Sequence, residues 1–178
     1  IKLQADTGQV YWNMNVIGST VGNSTDFFKS SNIILKEDAI FFSALSTTYS
    51  YDMTTGLLNW SVKLGSHGDP IIDGDNTFIV TDDGYFLNIE TKSGKIISSE
   101  NIFKILKRKR RDTKISGFIM GSNKIYATTI NGYLIVSSAS NGKVEYFKKI
   151  ADKILARPII SNGSLYILTS NYKIIGFR

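Results

Sequence analysis

Cysteine is absent from the 178 residues. That removes disulfides, thiolate metal sites and a cysteine nucleophile from consideration, and it leaves the cellular compartment undecided. Histidine occurs once, at His67. A Ser-His-Asp triad or a histidine-rich metal site therefore has almost nothing to be built from. The flanking Ser66-His67-Gly68-Asp69 reads as a loop approaching a strand. No apolar run approaches the ~20 residues that would span a bilayer as a helix. No basic n-region or apolar h-region precedes Ile1, so the chain is expected to be a mature product or a piece of a longer one. Acidic residues number 15 against 21 basic ones, for a net charge of +6. Five of the positive charges lie in one run, Lys107 to Arg111, so the excess is local and a broad nucleic-acid-binding face is not expected.

What is plentiful is turn chemistry at long intervals. Asp6-Thr7-Gly8, Thr54-Thr55-Gly56, Lys92-Ser93-Gly94 and Ser140-Asn141-Gly142 place glycines 48, 38 and 48 residues apart. Glycine takes a positive φ at no steric cost, as tight hairpins require. Two of these turns lead, four residues on, to Trp12 and Trp60. Between Asp69 and Asn101 the chain alternates short β-branched or aromatic runs with turns: Pro70-Ile71-Ile72, Thr77–Thr81, Tyr85–Glu90 and Lys95–Ser99. The same grammar recurs. Together these spacings predict an all-β, partial β-propeller with four-stranded antiparallel blades. Expected are a partial blade over residues 1–15, blades at about 31–62, 69–101 and 115–149, and an incomplete blade over 157–178, with 17 strands in all. Such a half ring would leave blade edges uncovered. The expectation is that the native protein is longer, with a donor strand upstream of Ile1, or that two copies associate.

Trp12 and Trp60 are expected on outer strands, packing between blades. Ser98 and Tyr146 stand at the equivalent positions further on, which predicts poorer packing there.

Ser50-Tyr51-Asp52-Met53-Thr54-Thr55-Gly56-Leu57-Leu58-Asn59-Trp60 resembles the repeat of the quinoprotein-like family, Ala-x-Asp-x-x-Thr-Gly-x-x-x-Trp, with Ser for Ala. Ala5 to Trp12 is a shortened version. Within that family the whole chain resembles the C-terminal half of the BamB-like outer-membrane barrel-assembly lipoproteins, most specifically at Arg157–Ile167 and Tyr172–Arg178. The resemblance implies an eight-bladed ring and a non-enzymatic scaffold, periplasmic and associated with the outer membrane, without a cofactor. Its partner would be the periplasmic domains of the central barrel-assembly subunit. An acidic family loop would fall just before Ile33. Here that stretch has Asp26 as its one acid, and Asp26, Phe27 and Phe28 are the candidate partner-binding residues it offers.

The other candidates are Lys107, Arg108, Lys109, Arg110 and Arg111, with Lys104 and Lys114 nearby. The bland reading is a solvated inter-blade loop after the amphipathic Asn101–Leu106. The sharper one is a contact with an acidic protein or with an anionic membrane surface. A nuclear-import or nucleic-acid role lacks any aromatic platform. Asp73, Asp75, Asp82 and Asp83 follow turns and lack the spacing of a calcium loop. Asn23, Asn59 and Asn162 open glycosylation-type tripeptides of the kind chance supplies in an Asn- and Ser-rich chain. Two alternatives to the scaffold remain. One is a generic interaction module working through residues 107–111. The other is a fragment of a pyrroloquinoline-quinone dehydrogenase, a class that uses a vicinal cysteine pair this chain does not have.

Overall fold

The computed structural model describes residues 1–14, 16, 30–44, 46–66 and 68–178, and side chains throughout these except at 108–110. Among the described residues, seventeen strands form five antiparallel sheets, each in meander order. The first sheet pairs β1 (Lys2–Leu3) with β2 (Val10–Trp12). The second runs β3 (Ile34–Lys36), β4 (Ala39–Ala44), β5 (Thr47–Asp52), β6 (Leu58–Val62). The third runs β7 (Ile71–Asp73), β8 (Asn76–Val80), β9 (Tyr85–Glu90), β10 (Ile96–Asn101). The fourth runs β11 (Ile115–Gly121), β12 (Lys124–Thr129), β13 (Tyr133–Ser138), β14 (Val144–Lys149), and the fifth β15 (Ile159–Ser161), β16 (Ser164–Leu168), β17 (Ile174–Phe177). The fold is all-β and the sheets are propeller blades.

Side chains on a strand alternate between faces, so each middle strand serves two cores. Phe41 of β4 packs with Trp60, Ile79 and Leu87 between the second and third sheets, while its neighbours Ile40 and Phe42 turn towards Trp12 and the first sheet. Ile79 is shared with the second sheet, but Phe78 and Val80 join Phe118, Ile125 and Ile135 of the fourth. Leu134 and Val136 then meet Leu165 and Ile167 of the fifth. Both faces of the middle strands are covered, which is why they read as near-continuous apolar runs rather than strict alternation. The fourth strands β6, β10 and β14 lie largely exposed.

The repeated turn has a defined mechanism. In all four cases the glycine N–H donates to a carbonyl four residues back: Gly8 to Gln4, Gly56 to Asp52, Gly94 to Glu90, Gly142 to Ser138, at 2.8–2.9 Å. In the complete motif the Asp52 carboxylate also accepts from the N–H groups of Thr54 (2.9 Å) and Thr55 (2.7 Å) and from the Thr55 hydroxyl (2.8 Å). Those bonds, above all the ones from Thr55, hold its pKa below the ordinary carboxylate value.

The tryptophan of one blade then lies on the turn of the next. Trp60 donates Nε1–H to the Thr91 carbonyl at 2.8 Å and covers Gly94 so closely that a Cβ there would stand 2.6 Å from the indole. Gly94 also has φ 73°, so the position excludes a side chain twice over. Trp12 makes the same arrangement on the second sheet, donating to Met53 at 3.1 Å and covering Gly56.

At the next junction the expectation of poorer packing fails. Ser98 offers only a long 3.4 Å bond to the Ser140 carbonyl, but Phe86 of β9, fully buried, takes the place over Gly142. A second departure lies just beyond. The link from β10 to β11, read from the sequence as a solvated inter-blade loop after an amphipathic stretch, is a 3-10 helical segment, Ile102–Asp112. Its Ile102 and Phe103 are fully buried and join the same core as Phe86. This junction has the largest buried cluster of the molecule's described residues because two elements outside the repeat motif fill it.

Candidate interaction surface

The first strands converge. Residues at the starts of β3, β7, β11 and β15 line a cavity of about 510 Å³ that includes Asn32, Asp69, Phe118 and Arg157. Asp69 is one of the residues that line it. It accepts from the Asn32 backbone N–H (2.8 Å) and side-chain amide (3.1 Å), and from the Arg157 guanidinium. Burial disfavours its ionised form, but the Asn32 hydrogen bonds and the Arg157 charge outweigh that and lower its pKa. One carboxylate thus ties the second, third and fifth sheets together.

Each blade has two ends, and the connections that leave a blade share one of them with the hairpin between its middle strands. The Ile102 N–H donates to the Gly84 carbonyl (2.9 Å), Ile115 to Asp82 (3.3 Å), Ile130 to Lys114 (2.9 Å) and Ile154 to Ile130 (3.4 Å). Ser170 donates to the Lys153 carbonyl at 3.1 Å. These bonds stitch the 3-10 segment, the β14–β15 link and the β8–β9, β12–β13 and β16–β17 hairpins into one loop face. The repeat-motif turns occupy the opposite end.

The basic run lies on the loop face, in the second half of the 3-10 segment. Ile102, Phe103 and Leu106 anchor the first half. Phe103 fits because position 84 is glycine, where a Cβ would stand 2.3 Å from the ring. At Lys107 the segment breaks, with φ 52° and ψ −120°. Lys107 and Arg111 are exposed, as is Lys104, which pairs with Glu100 at 3.0 Å. The amphipathic anchor was legible in sequence; the sharp bend that presents the basic run was not, because no glycine marks it.

Asp26, Phe27 and Phe28 lie outside the described residues, as does His67. Of the four turn acids Asp73, Asp75, Asp82 and Asp83, Asp83 accepts from the Thr81 hydroxyl within the β8–β9 hairpin, which is turn chemistry. Among the described residues no group of three or more acidic or histidine side chains is placed to hold a metal. A separate cavity of about 500 Å³ beside the first sheet is apolar, lined by Trp12, Met14, Ile33, Leu35, Ile40 and Phe42 among others.

Residues 1–100 match the family model described as outer membrane protein assembly factor BamB. The chain belongs to the BamB family. BamB from Moraxella catarrhalis is similar in structure, with a TM-score of 0.62 at 16% identity over 79% of this chain and 42% of that one. The chain therefore spans less than half the length of that BamB. The computationally designed Ika4 protein is similar over 89% of this chain and 94% of its own, at 12% identity and a TM-score of 0.64. A quinohemoprotein alcohol dehydrogenase from Comamonas testosteroni has a TM-score of 0.65 at 11% identity, over 78% of this chain and 28% of that one. These likenesses carry the fold, which BamB shares with the quinohemoprotein dehydrogenases. Among curated proteins none matches this sequence.

Proposed function

We propose that the chain is a non-enzymatic scaffold of outer-membrane β-barrel assembly. It acts at the periplasmic side of the outer membrane and binds periplasmic domains of the central assembly subunit through propeller loops. The observation that carries this is the BamB family match over residues 1–100. The architecture supports it: rigid sheets present loops and exposed fourth strands, the two features by which a propeller can hold another chain or extend its strands. No helix among the described residues is long and apolar enough to cross a membrane.

The test is capture of the isolated periplasmic domains of the barrel-assembly subunit, with titration calorimetry and association kinetics on the same pair. Micromolar or tighter binding is expected. Replacing Lys107 to Arg111 with neutral residues should slow association and leave dissociation nearly unchanged. If that replacement abolishes binding, the chain is a module that recruits partners by its basic segment. If unaltered protein binds no assembly subunit, the scaffold reading fails. The dehydrogenase alternative draws on the shared fold with the Comamonas enzyme; calcium-dependent quinone binding would establish it.

A further inference from the structure

The net charge of +6 is not spread over the molecule. At the motif-turn end, Asp6, Glu37, Asp38, Asp52, Asp73, Asp75 and Glu90 stand against Lys36, Lys92, Lys95, Lys124 and Lys143, so that end has no basic excess. The loop face differs. Besides residues 107–111 it holds Lys114, Lys148, Lys149 and Lys153, all exposed, on two adjacent blades. Its acids are few: Asp83, Asp112 and Asp152 are exposed, Asp82 is half-buried, and Asp69 is already committed to Arg157. The Lys149 ammonium stands 5.9 Å from the centre of the Tyr133 ring at the end of β14, which keeps it at this end.

The second observation concerns apolar side chains at the tips of the same loops. Tyr172 is 92% exposed in the β16–β17 hairpin and Leu155 is 72% exposed in the β14–β15 link; Ile105 is partly exposed in the 3-10 segment. Each has a lysine within two positions: Lys104 beside Ile105, Lys153 before Leu155, Lys173 after Tyr172. Exposed apolar side chains also occur at the opposite end, Leu57 among them, but these three stand among lysines. Basic side chains ringing protruding apolar and tyrosine tips match a surface with anionic headgroups outside and hydrocarbon just beneath. An acidic protein would complement the charge but would not account for the two protruding tips, Leu155 and Tyr172, or for the part-exposed Ile105.

We infer that the loop face of the third to fifth sheets docks peripherally on anionic phospholipid. Lys107, Arg111, Lys114, Lys148, Lys149 and Lys153 meet the headgroups, and Ile105, Leu155 and Tyr172 enter the interfacial layer. The docking is reversible, since single side chains at this depth give shallow insertion. It is sensitive to salt because each basic residue near the surface contributes roughly a fivefold gain in partition, lost by screening. The inference does not rest on the barrel-assembly reading, and vesicles alone test it.

The experiment is sedimentation of the chain with vesicles of phosphatidylcholine alone and with vesicles containing about one-third phosphatidylglycerol. Binding is expected to the anionic vesicles only, with release at raised salt. The double variant Leu155→Ser, Tyr172→Asn keeps every charge, and asparagine tolerates the positive φ of 60° at position 172. It should lower partition about tenfold at constant salt. Its thermal melt is compared with that of the parent chain; if the double variant melts early, Ile105→Ser is read in its place and should lower partition severalfold. Absence of binding to anionic vesicles at moderate salt overturns the proposal. So does binding that the tip variants leave unchanged and that soluble polyglutamate competes away, because that behaviour identifies an acidic protein as the occupant.

Discussion

Arg157 and Asp69 are 88 residues apart, in the links preceding β15 and β7, and their side chains meet in front of the fourth sheet that separates them. The pair spans one whole blade along the line of first strands, with Asn32 extending the tie to the second sheet.

That tie makes stability depend on acid. Asp69 ionises more readily in the folded chain than a free carboxylate does, so its contribution is complete above the ordinary value of about 3.9 and fades as pH falls through the lower folded value. Asp69→Asn is expected to lose about 1 kcal/mol at pH 7, a modest figure because Arg157 is largely exposed. Urea midpoints of the parent and the variant should differ at neutral pH and converge below the folded pKa.

Trp60→Ala removes a buried indole and its bond to Thr91, and should cost about 3–5 kcal/mol. Gly94→Ala pushes a Cβ into the same ring. Because the two positions touch, their effects should be far from additive in a double-mutant cycle on unfolding.

Lys107 holds a backbone conformation that suits glycine. Lys107→Gly should be more stable than Lys107→Ala by about 1 kcal/mol, since alanine keeps the strain that glycine relieves. Thermal denaturation of the two variants decides it.

Phe103→Ala should unseat the 3-10 segment and destabilise the fold by about 3–5 kcal/mol. Hydrogen exchange of the Ile102 amide, bonded to the Gly84 carbonyl, reports whether the anchor has gone. Slow exchange retained in the variant would mean the hydrogen bonds alone hold the segment.

Sequence made the blades legible because their signals are local. The Asp52-to-Gly56 turn, Trp60 four residues on, and the β-branched runs between turns all lie within a few residues of one another, and hairpin geometry follows from such neighbours. The Asp69–Arg157 tie was invisible because nothing adjacent to Arg157 names its partner. Phe86 over Gly142 was missed for a related reason: Ser98 sits where the motif asks for tryptophan, and the replacement comes from the neighbouring strand β9. The basic run was legible as charge but not as part of a face. Its companions, Lys148, Lys149 and Lys153, lie some 40 residues on and join it only because connections leaving consecutive blades emerge at the same end. The apolar tips carry no sequence signal at all, since an isolated exposed leucine or tyrosine is ordinary.

The seats of Trp12 on Gly56 and of Trp60 on Gly94 point the same way along the polypeptide. Each sheet overlaps its successor as one roof tile overlaps the next. During synthesis an indole is therefore made before the turn that will receive it, and stays uncovered until roughly one more repeat has left the ribosome. Assembly acquires a direction, and a chain halted between Trp60 and Gly94 would show its last exposed indole at the growing end.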